Sequence, residues 1–266
     1  MDPAANTAVQ SALTLAQVIL ATGLIVVGGM VEGYGYGLSL GTNWPYTRNI
    51  AVLALRGDPE AWHRIIATLL GLNALALLAL HRGTLQWTGL GLIVFTALLG
   101  MATLFVLAGK APAWLQGLHG LLAYATLFTY LLALTGGPGL GFYLETGVPL
   151  HSFLLVIFMG GMVTGQRGFA KAIGSFTLPR TLGQWVWIVH GLAVLLFLLT
   201  LAYETPANNV ALLLLLAQVG FGFLTFQAVN ARAERPGILV PVHQFLSVAI
   251  AFALFYHLQV HVPWLG

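Results

Sequence analysis

The sequence predicts an all-α integral membrane protein whose eight transmembrane helices form two pseudo-symmetric four-helix bundles. Three observations support this fold class. The 266 residues are 59% hydrophobic and only 6% charged, and the mean hydropathy is +0.91. Long uncharged runs recur along the chain, and two short motifs repeat in the same order in its two halves. A soluble globular protein is excluded by this composition.

Eight hydrophobic segments approach or reach the length that a bilayer-spanning helix needs, about 20 apolar residues. In chain order, they are residues 11–31, 61–80, 87–108, 114–135, 148–165, 183–203, 208–229 and 238–259. The first segment has no basic residues before it and no small-residue cleavage site after it. We therefore expect it to be a retained span and not a signal peptide.

Two motifs indicate an internal repeat. GGMVEG at residues 28–33 returns as GGMVTG at residues 160–165. Gly100-Met-Ala-Thr103 is similar to Gly222-Phe-Leu-Thr225. Glycine-rich helix faces also serve helix packing in membranes, so chance similarity is the alternative explanation.

The repeat divides the chain into two units of four spans. Residues 1–135 form the first predicted bundle, and residues 148–266 form the second. The glycine- and proline-rich residues 136–147 join them as a linker. An even number of spans in each unit gives both units the same orientation in the membrane.

Four histidines lie near the start of the even-numbered spans: His63, His119, His190 and His243. Because every even span runs in the same direction, all four are predicted to lie close to one membrane face. We call it the loop face, because the longest loops, 32–58 and 166–182, lie there. An imidazole is costly in hydrocarbon and usually has a functional partner. Two facing helices with one histidine each can bind a haem iron from both sides. The alternative is that these rings only form hydrogen bonds between helices.

Several other classes of site are excluded by the sequence. The chain has no cysteine, so disulfides, iron–sulfur clusters and thiolate ligation of haem are impossible. A net charge of +3 is too small to indicate nucleic-acid binding. No phosphate-binding loop, dinucleotide fingerprint, H-E-x-x-H or G-x-S-x-G motif is present.

The residues around the first histidine resemble a known family. Glu60-Ala-Trp-His63-Arg64 is similar to the E-x-x-H-R signature of haem A synthase, a membrane enzyme that converts haem O to haem A. Gly28-Gly29-Met-Val, Gly37-Leu38 and Asn43-Trp44-Pro45 resemble the first loop of that family. His119, His190 within Val-His-Gly, and Val-His243-Gln244 match its other three histidine positions. The resemblance covers nearly the whole chain.

The resemblance implies a function for each half. His63 and His119 would hold the substrate haem O, and His190 and His243 would hold a permanent haem b that relays electrons. The reaction would oxidise a ring methyl of haem O to a formyl group through hydroxylation. Haem O synthase and a terminal oxidase are the protein partners that the family implies, and the lipid bilayer is the environment.

Glu60 is the predicted catalytic residue. It lies three residues before His63, so both side chains share one helix face, and its carboxylate could stabilise positive charge or handle a proton. The matching position in the second half is Trp187, three residues before His190. The alternative is that Glu60 is a carboxylate at the end of a loop, paired with Arg64.

The chain departs from the family pattern in one respect. Many family members carry a cysteine pair in the first loop, and this chain has none. A thiol-based role is therefore absent, whereas the predicted haem ligands and Glu60 are retained.

Nine of the ten basic residues lie on the loop face. Haem propionates need cations, and arginine binds carboxylates in a bidentate manner. We therefore predict Arg64, Arg167 and Arg180 as propionate-binding residues. The positive-inside rule would place this face on the cytoplasmic side of the membrane, whereas the family resemblance places it on the extracellular side. We favour the family orientation.

Two other functions fit the same residues. One is a di-haem b-type membrane electron carrier that exchanges electrons with quinol. The other is a haem chaperone or transporter that uses the two sites for delivery. The carboxylate in only one half favours the enzyme over the carrier.

Overall fold

The computed structural model describes residues 3–137, 139–175, 178–204 and 209–261, and every regular element in them is helical. Eight helices are long and apolar enough to cross a membrane. They are α1 (Pro3–Gly33), α3 (Pro59–Leu80), α4 (Thr84–Leu107), α5 (Trp114–Thr135), α7 (Gly147–Arg167), α8 (Leu182–Glu204), α9 (Asn209–Ala231) and α10 (Leu239–His261). Two short helices are α2 (Ile50–Leu55) and α6 (Phe142–Glu145), and a single 3-10 turn covers Gly139–Gly141.

The eight predicted spans are confirmed as helices in the described residues, and most of their ends agree closely. The span predicted at 114–135 coincides with α5, whereas α1 begins eight residues before the predicted 11. The short elements α2 and α6 were not predicted, because four to six residues are too few to show a helical period.

Local sequence explains where α3 begins. Asp58 accepts hydrogen bonds from the backbone N–H groups of Glu60 at 2.8 Å and Ala61 at 3.1 Å. It is therefore the N-cap, and Pro59 occupies the first helical position, where no N–H is needed. This cap fixes the first turn of α3, which carries Glu60 and leads directly into His63.

The eight spans pack as one unit. In the first half α1 contacts α3 and α5, and α4 contacts both α3 and α5. In the second half α7 packs against α8, and α9 packs against α10. Contacts across the halves, α5 with α7 and α1 with α10, are as extensive as many within them. The division into two pseudo-symmetric bundles therefore stays a prediction.

Glycines allow the closest approaches between the two halves. A methyl group on Gly33 would lie 2.6 Å from the carbonyl oxygen of Gly237, at the start of α10. A methyl group on Gly161 of α7 would lie 2.7 Å from the carbonyl oxygen of Gln116 on α5. Both separations are shorter than any side chain tolerates, so these helices contact each other through backbone, as small-residue membrane interfaces do.

The hydrophobic core lies on the side of the histidines away from the loop face. The largest fully buried side chains lie there, and they include Tyr124, Phe128, Tyr130, Phe142, Phe153 and Phe197. Phe128 contacts Phe142, Phe153 and Phe255 with ring centroids 5.9 to 6.2 Å apart. At the level of the histidines, the helices present glycine and partly buried imidazoles instead.

Candidate functional site: two histidine pairs

The structure brings the four predicted histidines together in two pairs. His63 on α3 lies within electrostatic range of His119 on α5. His243 on α10 has the same relation to His190 on α8. The pairs are therefore the ones expected from the sequence, one in each half.

Each imidazole packs against a glycine of the preceding membrane-spanning helix. A methyl group placed on Gly28 would lie 3.4 Å from Cε1 of His63, and one on Gly100 would lie 3.3 Å from Cε1 of His119. In the second half the values are 3.4 Å from Gly160 to His190 and 3.3 Å from Gly222 to His243. The same contact thus occurs four times.

The nitrogen Nδ1 of each ring is turned towards that preceding helix. His119 Nδ1 lies 3.0 Å from the carbonyl oxygen of Thr96, four residues before Gly100. The rings of His63 and His190 lie beside the carbonyls of Leu24 and Val156, which hold the equivalent positions. Their Nδ1 atoms are buried and do not complete a regular hydrogen bond.

At His243, the residue four positions before the contacting glycine makes a different kind of hydrogen bond. Gln218 lies four residues before Gly222, and its side-chain amide donates to the backbone carbonyl of His243 at 2.8 Å. The Nδ1 atom of His243 is buried like those of His63 and His190. The bond from Gln218 fixes the backbone of the ring-bearing residue instead of the ring.

This geometry fits a haem with two histidine ligands. All four side chains are only partly buried, although Nδ1 of three of them is fully buried. Their Nδ1 atoms are thus enclosed, whereas Nε2 is not among the buried atoms without a partner. A ligating histidine characteristically directs its other ring nitrogen to a backbone carbonyl or carboxylate. The described residues contain no group of three or more possible metal ligands, but a bis-histidine haem needs only two.

Glu60 is buried and turned towards the first loop. Its Oε2 accepts hydrogen bonds from the Ser39 hydroxyl at 2.9 Å and from the backbone N–H of Leu40 at 3.1 Å. Its Oε1 is paired with Arg64 at 2.6 Å. The carboxylate therefore ties the loop to α3, one turn away from His63.

Arg64 extends the same connection. Its guanidinium donates to the backbone carbonyls of Asn43 at 2.5 Å and Pro45 at 3.2 Å. One turn further along α3, the hydroxyl of Thr68 is hydrogen-bonded to that of Tyr46. Glu60, Arg64 and Thr68, spaced four residues apart on α3, thus bind successive parts of the loop. On α8, the positions that correspond to Arg64 and Thr68 are Gly191 and Leu195, which cannot form such bonds through their side chains.

The other two predicted propionate-binding arginines differ in their surroundings. Arg167 is buried at the end of α7 and pairs with Glu32 of α1 at 2.5 Å. Arg180 is exposed in the loop before α8. The structure thus leaves Arg180 open to the surface, whereas Arg64 and Arg167 already have carboxylate partners.

Some features of the site were not found by reasoning from the sequence. The glycine contacts were missed, although Gly28, Gly100, Gly160 and Gly222 belong to the repeated motifs. Their position within the span that precedes each histidine-bearing span was the available signal. The Glu32–Arg167 pair joins residues 135 positions apart, and no pattern in the sequence indicates it.

No protein-family model matches the chain, and no curated protein matches it.

Proposed function

We propose that this chain is a membrane haem protein of the haem A synthase type, with a substrate site in the first half and a haem b site in the second. The observation that carries the proposal is the fourfold contact between a glycine and a histidine ring, arranged as two histidine pairs. Histidines that only formed hydrogen bonds between helices would not be expected to repeat the same glycine contact and the same Nδ1 orientation at four positions.

The second half would hold haem b between His190 and His243. A haem bound there supplies one-electron redox chemistry. The chain contributes two ligand rings held by Gly160 and Gly222. Arg180, exposed beside the start of α8, can neutralise a propionate.

The first half would bind haem O as the substrate, through His63 and His119. Glu60 and Arg64 have no counterpart in the second half, and they anchor the loop from Ser39 to Pro45 beside this pair. We propose that the Glu60 carboxylate stabilises positive charge as a ring methyl is oxidised through hydroxylation to a formyl group. Arg64 would orient Glu60 and, with Arg167, neutralise propionates.

One observation favours the di-haem electron carrier instead. The Glu60 carboxylate already has three polar partners and faces the loop, which is the arrangement of an anchoring group. A carrier would need two haems and no catalytic acid.

Pigment analysis separates the two functions. The full-length protein should be produced in a host that makes haem O, purified, and its haems extracted and separated by chromatography. Haem A or its hydroxylated precursor together with haem b supports the synthase. Haem b alone, at two per chain, supports the carrier. A protein free of haem, with helical content retained, would overturn both.

A further inference from the structure

A cavity of about 330 Å³, within the size range of ligand pockets, lies beside the second histidine pair at the loop face. Its walls come from the loop before α8, from α8 itself and from α9. None of its lining residues belongs to α7 or α10, and neither His190 nor His243 lines it. It therefore has room for a second ligand.

One wall of the cavity is aromatic. Trp187 of α8 and Phe226 of α9 lie against each other, with ring centroids 4.4 Å apart and an interplanar angle of 34°. Both rings line the cavity, together with Ile173, Pro179 and Ile188. Flat aromatic and aliphatic walls suit a flat ring, which gains from stacking as well as from burial.

The charge of the lining distinguishes this cavity from its neighbour. The adjacent cavity, of 260 Å³, is lined by Arg167 and Lys171 and suits an anion. Among the described residues, no charged side chain lines the cavity at Trp187. Because an unpaired charge is costly in such surroundings, the ligand should be neutral.

Gln184 supplies a polar group at the wall. Its Oε1 accepts from the backbone N–H groups of Arg180 at 2.7 Å and Thr181 at 3.1 Å. Its Nε2 donates to the carbonyl of Ser175 at 3.3 Å. An amide nitrogen has two donors, so the second can bind a carbonyl oxygen of a ligand.

The location indicates access from the bilayer. Among consecutive spans, α8 and α9 contact each other least, and the cavity lies between them at the loop face. A lipid-soluble molecule can therefore reach it from the side.

The cavity is also close to the second histidine pair. Trp187 is three residues from His190, about 5–6 Å along one helix face, and this distance is short for electron transfer.

From these observations we infer that the cavity binds the head group of a membrane quinone. This inference rests on the proposed function, because a haem protein that oxidises a substrate needs an electron acceptor. A quinone takes up two electrons and two protons and leaves as quinol. In the first oxidation water supplies the hydroxyl oxygen, and the two electrons and two protons released by the methyl group and this water are those that the quinone takes up. In the second, the hydroxymethyl group loses two electrons and two protons to another quinone and becomes the formyl group.

Photo-crosslinking with an azido-benzoquinone that carries a decyl tail tests the site. The purified full-length protein is illuminated with the probe, and the labelled peptides are identified by mass spectrometry. We expect the label on residues 173–188 or on the α9 peptide that contains Phe226. Label confined to other helices would overturn the inference.

Two variants of α9 form a matched pair for affinity measurements. Phe226 lines the cavity, whereas Phe223 contacts Trp187 at 6.2 Å but does not line it. Phe226→Leu should weaken binding of decyl benzoquinone roughly two- to tenfold, and Phe223→Leu should leave it unchanged. Ile188→Trp, which fills the cavity, should abolish binding. Equal effects of the two phenylalanine variants would contradict the inference.

Two further measurements show whether a negative result contradicts the quinone site or the proposed function. If a phospholipid with the same tail length displaces the probe as well as an unlabelled quinone does, the cavity is a lipid-tail site and the inference is wrong. Haem content is measured separately from its absorption spectrum. Quinone binding by a protein that cannot take up haem would refute the proposed function alone, whereas full haem content without quinone binding would refute this site alone.

Discussion

At each of the four histidines, a glycine on the preceding helix determines how closely the ring can approach that helix. The contact leaves no room for a larger side chain without moving the ring, because even a methyl group would sit 3.3 to 3.4 Å from Cε1. The orientation of the ring therefore depends on a residue that carries no functional group of its own.

On the proposed function, Gly222→Val should release the haem held between His190 and His243. The added side chain pushes the ring of His243 away from α9, so the two ligands no longer face each other. We expect a clear loss of haem per chain, measured by the pyridine haemochrome spectrum. Gly220→Val is the control, since no atom lies within 4 Å of a methyl group at that position. An equal loss in both variants would mean that valine in α9 is harmful by itself.

His190→Ala and His243→Ala should each abolish the low-spin b-type spectrum, because one remaining ligand leaves the iron five-coordinate and usually high-spin. His63→Ala, in the other pair, should preserve that spectrum. Optical and electron paramagnetic resonance spectra measure both effects. Unchanged spectra in the two second-half variants would show that these histidines are structural.

Glu60→Gln should keep both haem sites but lose haem A production by a factor on the order of 10²–10⁴, because the amide keeps the shape of the side chain without its charge. Turnover is measured by chromatography of extracted haems. Ser39→Ala tests the anchoring role, since it removes one loop contact and leaves the carboxylate. A loss of similar size in Ser39→Ala, or full turnover in Glu60→Gln, would leave Glu60 as a loop anchor.

The sequence predicted one histidine pair in each half, and the structure places His63 near His119 and His243 near His190. That these pairs bind haem stays a prediction. The sequence did not predict the partners of Arg64 and Arg167. The basic side chains were placed on the correct face of the molecule, but both already bind carboxylates, Glu60 and Glu32. Such pairs depend on how each helix is rotated about its axis, which hydropathy does not specify.

At the scale of the elements, the eight spans follow from hydrophobic length alone, since a helix that crosses lipid must satisfy its own backbone. The first loop is different. Its path from Ser39 to Tyr46 is held by side chains on α3 at four-residue spacing. The sequence shows this spacing, but not that a loop lies along it.

The pair formed by Glu32 and Arg167 links α1 to α7; Arg167 is buried and Glu32 is partly buried. Removing one partner leaves an uncompensated charge, so Glu32→Gln should lower the free energy of unfolding by about 3 kcal/mol. The double variant Glu32→Gln with Arg167→Gln should lose less than the sum of the two single changes. Thermal unfolding in detergent measures the cycle. Additive losses would show that the two side chains do not interact.

At the scale of the whole molecule, two predictions of the membrane orientation disagree. The basic residues on the loop face place it in the cytoplasm by the positive-inside rule, whereas the family resemblance places it outside the cell. The absence of cysteine makes this question accessible, because a single introduced thiol is the only one in the chain. Two leucines suit this purpose. Leu178 on the loop face is 84% exposed, and Leu144 on the opposite face is 82% exposed.

In intact cells, Leu178→Cys should react with a membrane-impermeant maleimide, and Leu144→Cys should react only after the membrane is opened. This outcome follows from the family orientation, in which the loop face is outside. Mass shift of the purified protein measures the labelling. The reverse pattern would place the loop face in the cytoplasm and show that its charges follow the positive-inside rule.

The paired glycines at 28–29 and 160–161 have a consequence for how such a protein evolves. Gly28 touches the ring of His63, while a methyl group on its neighbour Gly29 would lie 3.0 Å from Gln244, the residue after His243. Gly160 and Gly161 have the same relation to His190 and to Gln116 near His119. Each glycine pair therefore contacts both halves of the chain. A sideways displacement of α1 or α7 would disturb the two halves at once. Selection on either half alone would have to leave these two helices in place and act through α3, α4, α8 or α9.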